Sequence, residues 1–297
     1  MRKLLDARLL LVLIVSFTFI SAEVNRFYPI SLPDRLKQGK PANILLIGVD
    51  ARPGEAQTRS DVLILLSLNR AVNKAALVSI PRDTRVVFEG RNRKINMINQ
   101  LEGPEATCRE VGRLLDIPVN HYIITNFSGF EDIVDSLGGV YMNVDIRLHS
   151  YRAGVYLEKG PQWLSGKEAL AYVRFRANPD MDIGRTRRQQ ELLQALARQL
   201  TQKENIVHLP GLISRCSKYV TTNISMKEML YLPNTAVCFK ENNIITQTLP
   251  GYHYFASGTG ASFWEADPEI AASLLDSLFE GHRYEVIQPA PPWVRSW

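Results

Sequence analysis

Three short runs of apolar residues, at 43–49, 61–68 and 75–80, dominate the hydrophobic pattern of the first third of the chain. Each has the length of a strand and is apolar at consecutive rather than alternate positions, which is typical of strands buried on both faces. Only six residues connect the second run to the third, and no helical pattern lies between the first and the second. Both pairs are therefore predicted to be antiparallel neighbours at the centre of a covered sheet.

Helical and strand patterns alternate along the rest of the chain. Apolar positions at helical spacing predict helices, and short apolar runs predict strands. The predicted helices are 104–117, 129–139, 166–174, 185–200 and 267–279, and the predicted strands are 121–127, 140–146 and 243–251. This order predicts an α/β fold, a layered α-β-α sandwich with a central mixed, partly antiparallel sheet.

The N-terminus has a different pattern, an apolar run over residues 9–22 that follows Arg2, Lys3 and Arg8. A spanning helix prefers roughly 20 apolar residues, and this shorter run matches the central region of an export signal. Residues 1–22 are predicted to be a cleaved signal peptide or an uncleaved signal anchor, and the basic flank disfavours a buried core helix. Residues 23–41, with three prolines and a glycine, are predicted to be a linker to an exported domain at 42–297.

Composition and charge limit the functional classes only loosely. With 45% hydrophobic residues the chain can form a sizeable core, and a net charge of +5 suits an anionic partner or a membrane surface without indicating nucleic acid. The three cysteines, Cys108, Cys216 and Cys238, match no zinc-binding spacing. A disulfide between Cys216 and Cys238 and simple buried thiols are both compatible with these positions.

Arginines are concentrated between residues 174 and 188, where only two acids, Asp180 and Asp182, accompany them. The arginines are Arg174, Arg176, Arg185, Arg187 and Arg188. One interpretation is a solvated basic helix start with internal ion pairs. The other is an anion from outside the chain, because the planar guanidinium group suits bidentate contact with phosphate oxygens.

Helical spacing predicts which of these arginines face inward. Positions 185, 189, 193, 196 and 200 share one stripe, and the last three are leucines that are predicted to be core. Arg185 and Gln189 therefore lie on the inward stripe near the positive end of the helix dipole. Arg187 is predicted to face solvent, and Arg188 lies between the two faces.

A second group of charged residues is predicted from the strand order. In the antiparallel meander, the end of the first strand, the start of the second and the end of the third meet at one edge of the sheet. That edge gathers Asp50, Arg59, Asp61, Arg82 and Asp83. Two carboxylates without an adjacent lysine suit Mg²⁺, and Mg²⁺ with several arginines suits a pyrophosphate. A phosphoryl-transfer site is therefore predicted.

Motifs within this frame resemble one known family. IGVDAR, TRSDV, SIPRDT, KIN, GF..IVDSLGGV, YVR.R and DIGRTRRQQ occur in the order and spacing of the LytR-CpsA-Psr family, densely over residues 43–202. The resemblance implies a membrane-anchored phosphotransferase whose catalytic domain lies on the extracytoplasmic side of the cell membrane. Its substrate would be an undecaprenyl-pyrophosphate-linked glycopolymer, such as teichoic acid, capsule or another secondary wall polymer, and its acceptor a sugar hydroxyl of peptidoglycan.

The resemblance also implies roles for individual residues. Asp50 and Asp61 match the metal pair, with Mg²⁺ expected and Mn²⁺ as an alternative. The matches to the pyrophosphate ligands are Arg59, Arg82, Lys94, Arg174, Arg176, Arg185 and Gln189. Arg82, Arg174 and Arg176 also match catalytic positions, and Asp182 matches an acid that would help to deprotonate the acceptor hydroxyl.

Three other functions were compared with transfer to peptidoglycan. Hydrolysis of the lipid pyrophosphate would use the same site with water as the acceptor. A non-catalytic protein that binds the wall polymer or the lipid carrier would need neither acid of the metal pair. A regulator that binds nucleic acid is disfavoured, because the sequence has no helix-turn-helix pattern and an exported domain does not meet DNA.

Overall fold

The computed structural model describes residues 31–50, 58–151, 154–175, 181–201, 209–236, 243–256 and 260–291. The side chains of residues 181–183, 201, 209 and 233–236 are also outside the description. The helices are α1 Leu32–Lys37, α2 Ile98–Leu115, α3 Phe127–Ser136, α4 Gly166–Arg174, α5 Met181–Thr201, α6 Leu209–Cys216, α7 Met226–Ala236 and α8 Pro268–Glu280. Short 3-10 turns at Ile95–Met97 and Ser217–Tyr219 precede α2 and follow α6.

The strands are mostly short, apart from those at the centre of the sheet. They are β1 Ala42–Val49, β2 Ser60–Asn69, β3 Lys74–Ser79, β4 Arg85–Phe88, β5 Arg91–Lys94, β6 His121–Asn126, β7 Val140–Val144, β8 Leu148–Ser150, β9 Val155–Leu157, β10 Gly160–Leu164, β11 Thr221–Thr222, β12 Ile244–Thr248, β13 Gly251–Phe255 and β14 Ser262–Ala266.

The central sheet has the strand order β11-β6-β1-β2-β3-β12. β2 is antiparallel to both β1 and β3, β6 is parallel to β1, and β12 is parallel to β3. The mixed sheet and the antiparallel meander of its three central strands, both predicted from the apolar runs, are confirmed. The register places Leu46 opposite Ile64, and Ile64 opposite Ser79.

Helices cover both faces of this sheet, as the layered prediction requires. On one face, strand residues such as Leu45, Leu65 and Val78 form the largest core with α2 and α8. On the opposite face, Ile44 and Ala75 belong to a smaller core with α1 and α7. The middle of α5, at Gln190 and Gln194, covers β3 and β12 on that second face. Layers on both sides explain why the central strands are apolar at consecutive positions.

A separate hydrophobic core, the second core, lies beside the sheet and packs against the other side of α5. The antiparallel ribbons β7–β10 and β8–β9 contribute Val140, Val144 and Leu148, and α5 contributes Leu192 and Leu196. α4 lies in this core too, and its bounds equal the predicted 166–174. Helix α5 is therefore packed on two sides, which determines how its arginines are oriented.

Part of the predicted linker is folded. The prediction of residues 23–41 as an unpacked tether is wrong for α1, whose Leu32 and Leu36 are both buried. The Ser31 side chain caps this helix by accepting a hydrogen bond from the Asp34 N–H, and a proline is tolerated in the first turn. The i,i+4 leucine pair, rather than the prolines and glycine, determines the local structure here.

The predicted membrane segment at 1–22 lies outside the described residues. Among the residues that are described, no helix is both long and apolar enough to span a bilayer. The question of cysteine pairing also stays open, because Cys238 is not among the described residues. Cys108 is a buried free thiol, and burial raises its pKa to about 12.

Candidate functional site

A pocket of about 370 Å³ lies at the carboxyl end of β3. Its walls come from the sheet, from the loop after β3, from α5 and from the β13–β14 hairpin. The lining side chains include Asp61, Val62, Ser79, Ile80, Arg82, Asp83, Arg185, Thr186, Gln189, Thr248, His253, Ser262, Phe263, Trp264 and Val286. Charged groups from two distant parts of the sequence, 61–83 and 185–189, thus share one cavity.

Hydrogen bonds fix the loop that follows β3. The Thr84 N–H and hydroxyl both donate to the Pro81 carbonyl, at 2.9 and 2.6 Å, which closes a tight turn. The Arg82 carbonyl accepts from the Asn96 N–H at 3.1 Å, and the Asp83 carbonyl accepts from the Trp264 N–H at 2.9 Å. The backbone of Arg82 and Asp83 is therefore held from two sides, so their side chains project from a fixed position.

Arg82 and Asp61 form an ion pair in the pocket wall. Arg82 Nη1 lies 3.0 Å from Asp61 Oδ1, and the two side chains are 29% and 34% exposed. Arg82 Nε is buried and has no hydrogen-bond partner among the described residues. A half-buried guanidinium group in the wall of a pocket is suited to bind an anion that enters it.

Three other predicted ligand residues do not line the pocket. Lys94 pairs with Asp83 at 2.9 Å, so its charge is already compensated. Arg59 is exposed and donates from Nε to Gln100 Oε1 at 3.3 Å, away from the pocket lining. Asp50 is exposed and directly follows Val49, which pairs with Ser60 at the start of β2, one residue before Asp61.

Helix α5 presents Arg185 and Gln189 to the pocket, as the helical stripe predicted. The same side of the helix is fixed to the sheet by amide hydrogen bonds. Gln190 Nε2 donates to Ser79 Oγ and Thr248 Oγ1, each at 3.1 Å, and Gln194 Nε2 donates to Thr246 Oγ1 at 3.0 Å. These bonds fix the position of α5, including the turn that carries Arg185, relative to β3 and β12.

The rest of the stripe prediction is only partly correct. Leu196 is buried as predicted, but Leu193 and Leu200 are half-buried. The deeply buried side of α5 instead runs through Arg188, Leu192 and Leu196, because the second core packs against it. The prediction assumed one buried stripe, whereas a helix that packs against two neighbours buries residues on two sides.

Arg174 is not among the residues that line the pocket. Arg174 is exposed at the end of α4, and its guanidinium carbon lies 4.0 Å from the centroid of the Phe127 ring, a cation–π contact. Arg176 lies outside the described residues. Asp182 is in the first turn of α5, but its side chain is outside the description, so both keep the roles implied by sequence resemblance alone.

The carboxylates at the pocket suit a hard cation that keeps part of its hydration. No group of three or more His, Cys, Asp or Glu side chains that could hold a metal ion occurs within the described part of the chain. Asp50 and Asp61 offer only oxygen ligands, which Mg²⁺ prefers, and Mg²⁺ usually completes its octahedron with water and substrate phosphate oxygens. This donor set fits such an ion better than one that requires a closed protein cage.

The aromatic wall of the pocket was not predicted. The β13–β14 hairpin contributes His253, Phe263 and Trp264, and the imidazole and indole rings meet edge to face at 5.3 Å. The Trp264 indole N–H donates to the Leu249 carbonyl at 3.2 Å. The sequence signal was weak, because only five residues in each strand form this ribbon and its position depends on docking to the loop after β3.

A row of apolar side chains leads away from the pocket along one face of the sheet. Val62 lines the pocket, and strand alternation places Ile64 and Leu66 on the same face of β2. Across the strands, Leu46 lies opposite Ile64 and next to Ile123. Leu46, Leu66 and Ile123 are only partly buried although α1 and α7 pack nearby, so this face retains accessible apolar surface.

Comparison with known proteins identifies the family of this chain. The sequence profile of the LytR_cpsA_psr family matches residues 21–280. TagU of Bacillus cereus, named a polyisoprenyl-teichoic acid–peptidoglycan teichoic acid transferase, is 33% identical over 251 residues, which are 84% of this chain and 81% of that protein. TagV of Bacillus subtilis, which has the same transferase name, is 31% identical over 252 residues, 81% of this chain and 64% of that protein.

Solved structures show the same relationship. The crystal structure of B. subtilis TagV matches with a TM-score of 0.72 at 30% identity and covers 82% of this chain and 97% of that chain. A structure of TagT bound to LI-WTA matches with a TM-score of 0.64 at 29% identity and covers 81% and 89%. With a family profile over most of its length and relatives above 30% identity, this chain belongs to the LytR-CpsA-Psr family.

Proposed function

We propose that the protein is a Mg²⁺-dependent phosphotransferase that moves a glycopolymer phosphate from undecaprenyl pyrophosphate to a sugar hydroxyl of peptidoglycan. Teichoic acid, capsule and other secondary wall polymers are the candidate donors, and the teichoic acid transferase names of the relatives support this class. The observation that carries the proposal is the position of Arg82 and Arg185 in one pocket, at the start of the apolar row through Val62 and Ile64.

The two parts of a polyprenyl pyrophosphate match the two parts of this site. Arg82 and Arg185 would neutralise non-bridging oxygens of the pyrophosphate, and the Gln189 amide would donate a hydrogen bond beside them. The partly buried apolar face around Leu46 and Leu66 would accept the hydrocarbon chain. At this place the arginines would stabilise the anionic pyrophosphate, and the apolar face would stabilise the attached hydrocarbon chain.

The chemical step is a displacement at phosphorus. The acceptor hydroxyl oxygen forms a bond to the phosphorus that carries the glycan, while the bond from that phosphorus to the bridging oxygen breaks and undecaprenyl phosphate leaves. Asp182 would receive the hydroxyl proton, and the arginines would stabilise the charge that grows on the leaving oxygen. Mg²⁺ held by Asp50 and Asp61 would supply further charge neutralisation at the pyrophosphate.

The proposal also sets the location of the reaction. The apolar segment at 9–22 with its basic flank would place the following domain on the extracytoplasmic side of the cell membrane, as a single anchor or after export. The lipid carrier lies in that same membrane, so an anchored enzyme meets its donor in two dimensions. The cytoplasmic membrane and peptidoglycan are thus the expected partners, and nucleic acid is not.

A transfer assay tests the proposal. The full chain in detergent would receive a labelled synthetic polyprenyl-pyrophosphate glycan, peptidoglycan oligosaccharides and Mg²⁺, and products would be separated by mass. We expect a phosphodiester between the two glycans, lost in Asp61→Ala and retained in Arg147→Ala, whose arginine forms an exposed ion pair with Glu158. Release of glycan phosphate to water alone would indicate a hydrolase, and lipid binding without any product, unchanged by Asp61→Ala, a binding protein.

A further inference from the structure

One arginine of the basic segment is buried outside the pocket lining. Arg188 on α5 is only 4% exposed, and its Nε is buried without a hydrogen-bond partner among the described residues. Burial of a charged group costs free energy unless its other contacts compensate, and an apolar side chain would fill the same volume without that cost. The contacts made by this guanidinium group therefore indicate what it does.

Arg188 joins α5 to the end of α4. Its Nη2 donates to the Phe175 carbonyl at 2.6 Å, and its guanidinium carbon lies 5.7 Å from the centroid of the Tyr172 ring. Phe175 directly follows α4, and its carbonyl belongs to the peptide bond with Arg176. One side chain of α5 thus holds the backbone between Arg174 and Arg176.

The charge of Arg188 is balanced at a distance by Asp145, which follows β7. Arg188 Nη1 lies 4.0 Å from Asp145 Oδ2, and the Tyr172 hydroxyl donates to Asp145 Oδ1 at 2.7 Å. The same carboxylate also accepts from the exposed Arg187. Burial raises the pKa of Tyr172, which keeps the phenol protonated and able to donate. Two neighbouring arginines of one helix therefore share a single acid on the second core.

Arg188 lies between two groups of predicted pyrophosphate ligands. On its own helix it is three residues after Arg185 and directly before Gln189, both of which line the pocket. Through its hydrogen bond to the Phe175 carbonyl it also contacts the extended residue that directly follows Arg174.

We propose that Arg188 is a positioning residue that fixes the turns of α5 that carry Arg185 and Gln189 relative to the end of α4 at Phe175. It does not touch the substrate and acts through the α5 ligands that do. The inference rests on the proposed function, because it assumes that Arg185 and Gln189 bind the pyrophosphate. A guanidinium group can reach Phe175 and Asp145 together, whereas a lysine ammonium is a point donor with less reach across two partners.

The test compares Arg188→Met, which keeps length without charge, with Arg188→Lys and with Arg147→Met as the matched exposed control. Affinity for farnesyl pyrophosphate with Mg²⁺ and the kcat and KM of transfer would be measured on the full chain. We expect Arg188→Met to lower kcat and pyrophosphate affinity by about 10- to 100-fold, since a misplacement near 1 Å can cost that much. Arg188→Lys should recover part of the loss, and Arg147→Met should match the wild type.

A mutant cycle separates positioning from a general loss of stability. If Arg188 acts through its neighbours, Arg188→Met should add little loss to Arg185→Ala, whereas independent effects would multiply. Multiplying effects, or wild-type affinity and kcat in Arg188→Met, would overturn the inference and leave the proposed function intact. A wild-type chain that binds no farnesyl pyrophosphate would overturn both. Urea unfolding of each variant identifies any that fail to fold, and Arg188→Lys then serves as the test variant.

Discussion

Arg82 Nη1 lies 3.0 Å from Asp61 Oδ1, so the proposed anion ligand and the proposed metal ligand are already in contact. The carboxylate and the guanidinium group cancel each other's charge, so the pair alone cannot neutralise a bound pyrophosphate. Further positive charge must come from other groups in the pocket. Binding of substrate with Mg²⁺ would then redistribute this contact: Arg82 would gain phosphate oxygens, and Asp61 would gain the cation. The free pair holds both side chains in the pocket wall before the substrate arrives.

Removal of Arg82 should therefore affect the reaction more than the fold. Arg82→Ala is expected to cost about 2–4 kcal/mol of transition-state stabilisation, roughly 30- to 1,000-fold in kcat/KM, as loss of a preorganised charged donor does. Stability should change little, because the pair with Asp61 is partly exposed. Steady-state transfer kinetics combined with urea unfolding would check this, and a kcat/KM within twofold of wild type would contradict it.

Two arginines on opposite faces of α5 should differ in their importance. Arg185 lines the pocket, whereas Arg187 is exposed and pairs with Asp145. Arg185→Ala should lower kcat/KM by about the same factor as loss of Arg82. Arg187→Ala should lower it by less than about fivefold, since an exposed pair contributes little. Equal losses in the two variants would contradict the different roles assigned to Arg185 in the pocket and to Arg187 on the exposed face of α5.

The helix found within the predicted linker should contribute to stability. Leu36 is 2% exposed and packs on the sheet side of α1. Leu36→Ala should lower the free energy of unfolding by about 2–5 kcal/mol, as large-to-small substitutions in cores do. Lys37→Ala, at an exposed ion pair in the same helix, is the control. Equal urea midpoints for the two variants would mean that α1 is not part of the cooperative fold.

Docking of α1 should also depend on pH through Glu228. Burial raises the pKa of this carboxyl, but hydrogen bonds from Ser225 and from the Leu32 N–H outweigh burial, so its pKa is lower than the ordinary value. A lowered folded-state pKa gives stability that is present above the unfolded value of about 4.5 and is lost as pH falls through the folded value.

Substitution of Glu228 provides the corresponding test. Glu228→Gln should cost about 0.5–1 kcal/mol near neutral pH, because it removes a negative charge from the first turn of α7, next to the capping residue Ser225. The difference from wild type should shrink as pH falls through the lowered folded-state pKa, because the wild-type carboxyl then becomes protonated as well. Urea unfolding over a series of pH values from neutral to acid measures it, and a constant difference would argue against the charged carboxylate as the cause.

The sequence allowed the centre of the fold to be predicted because its signals are local. The three apolar strands, the bounds of α4 and the inward direction of Arg185 and Gln189 follow from periodicity and connection length. The charged edge of the sheet followed from the same reasoning, with Asp61, Arg82 and Asp83 found in one pocket.

What escaped prediction depends on contacts distant in sequence. The β8–β9 ribbon and the aromatic β13–β14 hairpin are too short to form alone, and docking against neighbouring elements stabilises them. Arg188 escaped because burial of an arginine is visible only once the second core beside α5 is known. The α1 helix escaped because prolines and glycine were weighted above the spacing of two leucines.

If the chain is anchored by its N-terminal apolar run, the folded α1 would shorten the reach of the domain from the membrane. If residues 1–22 lie in the bilayer, an unfolded linker over 23–41 would have 19 residues and could extend about 60 Å. With the chain packed from Leu32 onward, only residues 23–31 remain, nine residues that extend at most about 30 Å. The domain would then stay within about one bilayer thickness of the surface, at the height where the pyrophosphate of a membrane-bound carrier emerges.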